Sequence, residues 1–341
     1  MRRLIAPALA MIALVAGLAG CTPRSVAEGQ CLDGSRPIVD VPDVPAITYP
    51  RSPGFGDGRA VDARGSHFQS GATSVAGMKL HNDSSGSEAC IVGGLFTATY
   101  PSETASWDIW HDHTSAIIAE PNTQLIGTRF YNVGDAVAFN LAATDWKVVG
   151  MRVDSVLGDT KGGYVHDDCV QNDGMNNGVI TDSKLDGCMV FLSAASADNV
   201  GTGRTVEVSD TLVRLRPYWN SYNTAKYGFN QHGGFFKWSG RTPQLYVHDS
   251  MFRADQRGSY GGNVNGFLAL PPGSRCHDVT LVAKGGWGSD PANPTNPAWQ
   301  QRDIDSWRSQ CTRLRFAQGP AWDRAVAEWD AAHPASTDRG T

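Results

Sequence analysis

The sequence predicts an all-β fold, a single-stranded right-handed parallel β-helix with a short C-terminal helix, on three observations. Short segments rich in Val and Ile recur from about residue 75 to 284, each running into small or polar residues and then a large apolar one. The chain holds 38 glycines and 18 prolines yet stays 41% hydrophobic, the balance of a turn-rich β protein with a core, not of a disordered chain. No long amphipathic pattern precedes the C-terminus. Each repeat can bury its apolar face only by stacking on the next.

The elements follow in chain order. Met1-Arg2-Arg3 is a basic start, Leu4 to Leu18 an almost unbroken apolar run, and Leu18-Ala19-Gly20-Cys21 a small-residue ending before a cysteine. That order is a secretory signal peptide, and the apolar run falls short of the ~20 residues that span a bilayer. Residues 1–20 are therefore expected to be a leader. The Leu-Ala-Gly-Cys ending resembles the lipobox of bacterial lipoproteins. This implies lipidation at Cys21 and export to the bacterial cell envelope, at the outer membrane if the cell is Gram-negative. Several acyl chains, at about 0.8 kcal/mol per buried CH₂, anchor stably where one does not. Residues 21–74, rich in Pro, Gly, Arg and Asp, read as a tether and N-terminal cap.

Residues 75–284 are assigned to the β-helix. Phrases such as Ile91-Val92-Gly93-Gly94-Leu95-Phe96 and Tyr246-Val247-His248-Asp249-Ser250-Met251-Phe252 carry the repeat. Their anchors are Phe96, Phe130, Val153, Leu185, Leu212 and Phe252, in steps of 34, 23, 32, 27 and 40. Uneven steps suit coils whose turns carry insertions. A leucine-rich repeat needs a fixed shorter period and a propeller needs longer units; a jelly roll is the main alternative. Within 285–341, Gly285 to Pro297 reads as a surface excursion and Trp322 to Ala332 as a helix packing on or capping the last coil.

Charge and cysteines narrow the partners. Residues 1–20 carry Arg2 and Arg3 and no acid, so the net charge of −5 becomes −7 without them. With no basic run, nucleic acid is not an expected partner. Setting Cys21 aside leaves six cysteines, an even number in an exported chain. Cys276 and Cys311 flank the excursion and are the expected disulfide, closing a loop of ~35 residues for roughly 3–4 kcal/mol. No Cys-x-x-Cys pair exists, and no metal is assigned.

The segment Tyr164-Val165-His166-Asp167-Asp168-Cys169-Val170-Gln171-Asn172-Asp173 gathers carboxylates beside a histidine. Aligned on Asp-x-apolar, Asp135, Asp168 and Asp186 take one place on successive coils. Stacked ~4.8 Å apart, they raise at least one pKa or recruit a cation, unless each caps turn amides. In this register Cys169 and Cys188 face opposite ways and are expected not to bond.

Asn132-Val133-Gly134-Asp135 followed by Asp167-Asp168-Cys169-Val170 resembles the polygalacturonase-like glycoside hydrolases, within the broader pectate-lyase-like β-helix proteins. Those carry Asn-Thr-Asp and then Gly-Asp-Asp-Cys, the aspartates serving as acid and as activators of water. The resemblance implies catalytic roles for Asp135, Asp167 and Asp168. It places His232, in a His-Gly step, and Lys237 at the substrate; His166 and Asp173, beside the aspartates, are further candidate substrate contacts. Three departures stand out: His166 replaces a glycine, Gly134 replaces a threonine, and His232 comes two coils late.

Trp107-Asp108-Ile109-Trp110-His111-Asp112-His113 reads as a loop lining a groove, with Trp110 and His111 as substrate contacts; a metal site there lacks a fourth ligand. Aromatic residues from Tyr218 to Trp238, with Phe235 and Phe236 among them, form either a cleft wall or a self-packed flap. Arg152 and Lys184 are the cations placed to abstract a proton if the protein is a lyase. The expected function is a surface-anchored carbohydrate-active protein hydrolysing glycosidic bonds, one aspartic acid protonated and another ionised. The alternatives are a calcium-dependent polysaccharide lyase or epimerase, and a non-catalytic glycan-binding or structural protein. The partners are a polysaccharide and the membrane through the lipid; no cofactor is expected beyond calcium in the lyase reading.

Overall fold

The structure is a computed structural model that describes residues 30–41, 47–49, 54–55, 59–70, 76–80, 89–98, 115–119, 123–131, 133, 135–139, 145–154, 168–172, 177–188, 190–194, 205–215, 234–238, 244–255, 268–288 and 298–334. Its strands fall into successive coils. Coil one holds Ile38–Asp40 (β1), Ile47–Tyr49 (β2) and Gly54–Phe55 (β3). Coil two holds Ala60–Asp62 (β4), His67–Ser70 (β5) and Ala76–Leu80 (β6). Coil three is Ala89–Val92 (β7), Leu95–Ala98 (β8) and Ser115–Ala119 (β9). Coil four is Thr123–Ile126 (β10), Arg129–Tyr131 (β11) and Asp135–Phe139 (β12). Trp146–Val149 (β13), Arg152–Asp154 (β14) and Asp168–Asn172 (β15) make coil five. Gly178–Thr181 (β16), Lys184–Asp186 (β17) and Val190–Ala194 (β18) make coil six. Coil seven is Thr205–Ser209 (β19), Leu212–Leu215 (β20) and Gly234–Trp238 (β21); coil eight has Gln244–His248 (β22) and Met251–Ala254 (β23). Arg275–Ala283 (β24), helix Gln301–Gln310 (α1), Cys311–Gln318 (β25) and helix Gly319–Ala332 (α2) complete the described elements.

Up to β21 each strand pairs with its counterpart one coil on, always parallel, which is the architecture of a parallel β-helix with three faces. The first face runs from β1 to β22, the second from β2 to β23, and both end on the long strands β24 and β25. The third face is a separate seven-stranded sheet from β3 to β21. Strands occur from residue 38 and again at 311–318, so the coils reach beyond both ends of the 75–284 span marked by sequence periodicity. Prolines in the first coils had hidden them.

The corner between the first and second faces explains the repeated phrase. From coil three on it is two residues long, and the first takes a left-handed conformation: Gly93, Gly127, Gly150, Asp182, Asp210 and Asp249, with φ between Asp210's 49° and Gly93's 75°. Glycine enters that region without strain, and aspartate and asparagine do so more readily than most other residues. In coils six to eight the second residue, Ser183, Thr211 or Ser250, turns its hydroxyl to neighbouring backbone. Ser183 Oγ donates to the Thr181 carbonyl at 2.8 Å and accepts the Met151 amide at 3.1 Å. Ser250 Oγ repeats this with the His248 carbonyl at 2.7 Å and the Thr211 amide at 3.1 Å. At these two corners the buried turn leaves neither group unsatisfied.

Inside, a column of apolar side chains climbs the second face. Phe68 stacks on Phe96 at 4.7 Å between ring centres, and Phe96 on Phe130 at 5.3 Å. Val153, Leu185, Val213, Phe252, Leu281 and Phe316 continue the same register. The anchor in coil seven is therefore Val213, not Leu212. Leu212 packs outside, under α2, with Val282, Trp322 and Trp329. Phe235 and Phe236 are buried core on β21, against Phe252, so they belong to neither a cleft wall nor a flap. Trp307 of α1 packs on Phe252 and donates to the Leu268 carbonyl at 2.6 Å, filling the upper end of the core.

Three disulfides join Cys31 to Cys90, Cys169 to Cys188 and Cys276 to Cys311, with Cα separations of 6.4, 5.5 and 4.3 Å. The second overturns the expectation that Cys169 and Cys188 stay unbonded. Register pairs Asp168 with Val190, not with Asp186, and Cys188 lies in the turn before β18, where strand alternation does not apply.

Candidate functional site

Asp135 and Asp168 lie on neighbouring rungs of the third face, since Val137 pairs with Val170. The Asp168 amide donates to Asp135 Oδ1 at 2.9 Å, so the Asp135 carboxylate holds the start of the next strand. Both residues are buried, at 0% and 1% exposure. Asp186 is not the third member of this row. It sits on β17 of the second face, 3.7 Å from Arg214. Asp167, His166, Asp173, His232, Trp110, His111 and Cys21 lie outside the described residues; Lys237 lies on β21 beside Ser193, its side chain undescribed.

From coil five to coil eight the outer surface of the second face is covered by helix α2, whereas Tyr131 of coil four is half exposed. Helix α2 lays Trp322 and Trp329 on Leu212, Met251 and Val282, then reaches back with Asp330 to Arg152 (3.1 Å) and Lys184 (2.9 Å). Lys184 is also 3.2 Å from Asp154, and Arg152 meets Asp154 directly. Asp255 is clamped by Arg214 and Arg253. His333 donates from the helix end to Asp182 at 2.8 Å, and Trp329 Nε1 donates to the Asp182 carbonyl at 3.2 Å. The cations read as lyase candidates are thus engaged in holding the helix down.

The aspartate row that does recur is the corner one: Asp182, Asp210, Asp249 and Asp278. Asp278 meets Arg315 and lies 3.4 Å from Arg313. Partial burial, with the carboxylates of Asp249 and Asp182 nearby, holds Asp210 above the usual aspartate range. Its signal stood in the sequence as Thr-Asp-Ser, Ser-Asp-Thr and His-Asp-Ser triplets, one per coil.

On its outer side the first face is covered in part, where Ala60, Cys90, Val92, Ile126 and Val149 are buried with Cys31 and Leu32, and is open along the row that starts at Gln124. There a groove of about 310 Å³ crosses coils four to seven, lined by Gln124, Asp145, Lys147, Asn177, Thr205 and Glu207 with Trp146, Gly178 and Val179. Gln124, Lys147, Val179 and Glu207 form one row, rung by rung. A rim lies beside them: Asn177 donates to Asp145 at 2.9 Å and accepts the Thr205 amide at 3.1 Å. Trp146 lies beneath, stacked on Phe139 at 4.4 Å. It has room because residue 178 is glycine; a Cβ there would meet its ring at 2.1 Å. Next to the groove, His248 reaches Glu207 at 3.0 Å through Nε2 and Asp249 at 2.9 Å through Nδ1. Burial alone would lower the His248 pKa, but hydrogen bonds and charge from the two carboxylates raise it above that of an ordinary histidine.

Among the described residues no group of His, Cys, Asp and Glu is arranged to hold a metal ion, and no helix is long and apolar enough to cross a membrane. No protein-family profile, curated protein or solved structure matches the chain.

Proposed function

We propose that this chain is an exported glycan-engaging protein, lipid-anchored at Cys21, whose coils wind right-handed and whose outer first face receives a polysaccharide. Handedness follows from the general rule that parallel strand-to-strand crossovers are right-handed. The observation that carries the functional reading is the groove. Its polar side chains recur along the coil axis at rung spacing of ~4.8 Å, so an extended polymer lying across the rungs meets donors and acceptors in series. A concave site with a few convergent polar groups is where a ligand gains both contact and orientation.

Hydrolysis through Asp135, Asp168 and the neighbouring Asp167 is the second reading. It is favoured by the contact between the Asp168 amide and the Asp135 carboxylate, which sets two acidic residues on adjacent rungs. Burial and that amide bond equally suit a strand-holding role, so binding on the first face is the stronger reading. Lyase chemistry at Arg152 or Lys184 would require α2 to leave the second face.

Incubation with a panel of bacterial and plant polysaccharides tests the proposal. Binding, with or without new reducing ends, supports it; absorbance from unsaturated uronate products would assign a lyase instead, and no interaction with any polysaccharide sinks it. Asp168→Asn and Asp135→Asn together separate the two readings, since it is the Asp135 carboxylate that holds the strand. A catalytic acid loses about 10²–10⁴-fold in rate with folding intact, whereas a strand-holding residue loses melting temperature.

A further inference from the structure

Resting on the glycan-binding reading, we infer that the groove of the first face selects a neutral, polyhydroxylated saccharide over a polyanionic one, with Glu207 as the hydroxyl-binding carboxylate and His248 as its positioning residue.

Charge is the first argument. The groove is lined by two acids, Asp145 and Glu207, and one base, Lys147. Lys147 and Glu207 share a row two rungs apart, close to 10 Å at ~4.8 Å per rung. A glycan with a carboxylate on every residue would meet at least one fixed negative charge wherever it meets the positive one. Like charges at that range disfavour binding, and the one further cation beside the lining, protonated His248, is shared between Glu207 and Asp249, which leaves the site net acidic. A neutral sugar chain meets no such conflict. Its hydroxyls both donate and accept, and the lining supplies both: Glu207 and Asp145 accept, Lys147 donates, and Gln124 does either.

Geometry is the second argument. A carboxylate that binds hydroxyls well is one that does not swing, because ordering a free side chain costs entropy at the moment of binding. Glu207 is 44% exposed, yet His248 Nε2 holds it at 3.0 Å while Asp249 fixes the other ring nitrogen at 2.9 Å. Tyr246 packs on the same ring at 4.8 Å, and Arg275 lies over Tyr246 from the next rung. With a carboxylate at each nitrogen, both contacts are hydrogen bonds only when the imidazole is doubly protonated; the neutral ring has one N–H to give. The other charged groups around it are Asp210 and Asp182 along the corner and His277, its partner on β24. The hold on Glu207 is therefore complete below the raised pKa of His248 and weakens as pH rises through it.

The test is calorimetric titration of the full chain with neutral gluco-, manno-, galacto- and xylo-oligosaccharides and with oligogalacturonates of matched length. At least one neutral series is expected to bind, with little dependence on salt. Glu207→Ala should weaken it about tenfold, the size of one hydrogen bond to a charged group, and Lys147→Ala by less. Glu207→Gln should recover part of the loss while improving oligogalacturonate binding. Wild-type affinity should fall as pH rises through the His248 titration, followed by NMR of its ring protons, and His248→Gln should flatten that pH profile without changing melting temperature at high pH. Preferred, salt-sensitive binding of oligogalacturonate would overturn the neutral class and leave the glycan reading standing. Neutral binding indifferent to Glu207 and His248 would move the site elsewhere. No binding by any oligosaccharide overturns this inference together with the reading it rests on.

Discussion

The outer surfaces of the first and second faces are made by the same parallel coils, yet their charged residues do opposite things. On the second face, Arg152, Lys184, Arg214 and Arg253 are each tied to an aspartate, and α2 closes over the row. Lys184 retains only 3% exposure. On the first face, Lys147 lines an open groove together with Glu207, which His248 holds at 3.0 Å but leaves 44% exposed. A strand position alone does not assign a lysine to structure or to binding; what covers the sheet does. A covered ion pair gains strength from its dry surroundings and becomes costly to break, whereas an exposed charge contributes little to stability and is left for a ligand.

Mutations should break this contrast in graded fashion. Trp329→Ala removes the ring that packs on the outer second face and the bond to the Asp182 carbonyl. It should cost about 3–5 kcal/mol in urea unfolding, as large aromatic truncations do. Lys184→Ala removes the more deeply buried of the two cations that Asp330 and Asp154 share and leaves Arg152 alone between them. The expected loss is roughly 2–3 kcal/mol, below that of a fully enclosed pair because both aspartates are about a third exposed. Lys147→Ala should stay within about 0.5 kcal/mol, as surface changes do. Equal losses at the two lysines would erase the distinction between the faces.

Gly178→Ala sharpens the comparison from the open side. Its Cβ would press on the buried Trp146 ring, and overpacking of that kind costs about 1–3 kcal/mol. The groove would change shape with it, so a stable Gly178→Ala protein with unaltered glycan binding would contradict the placement of the site.

The smallest effect lies at the corner between the faces. Asp210 is held above the usual aspartate range, so folding favours its protonated form. Its contribution is present at low pH and lost as pH rises through that raised value. Asp210→Asn keeps a residue tolerant of the left-handed turn and removes the repulsion. It should raise the melting temperature slightly at pH 7 and not at pH 3, by no more than a few tenths of a kcal/mol given the exposure of the group.

Much of the coil stack was legible in the sequence. Phe96, Phe130, Val153, Leu185 and Phe252 share one register, as their recurrence after each small-residue corner implied. Leu212 misled because the outer surface beneath α2 is itself apolar, and inside and outside then look alike to a pattern of hydrophobicity. Asp186 misled because Asp-Gly-Cys imitates Asp-Asp-Cys while lying on another face. The groove left almost no trace: Gln124, Lys147 and Glu207 come from three coils, separated by segments of unequal length. Only pairing of the strands brings them to one row. The corner aspartates were spelled out in coils six to eight, where they take the place that Gly93, Gly127 and Gly150 hold below, and their left-handed conformation, not a chemical role, explains why they recur.

Lysine accessibility tests the contrast between the faces most directly. The native protein would be acylated briefly, with and without a bound oligosaccharide from the neutral series, and the modified sites read by mass spectrometry. Lys147 is predicted to react readily and to be protected by the saccharide, while Lys184 stays unmodified under both conditions until α2 is loosened by Trp329→Ala. Rapid modification of Lys184 in the native chain, or saccharide protection that spares Lys147, would contradict the account.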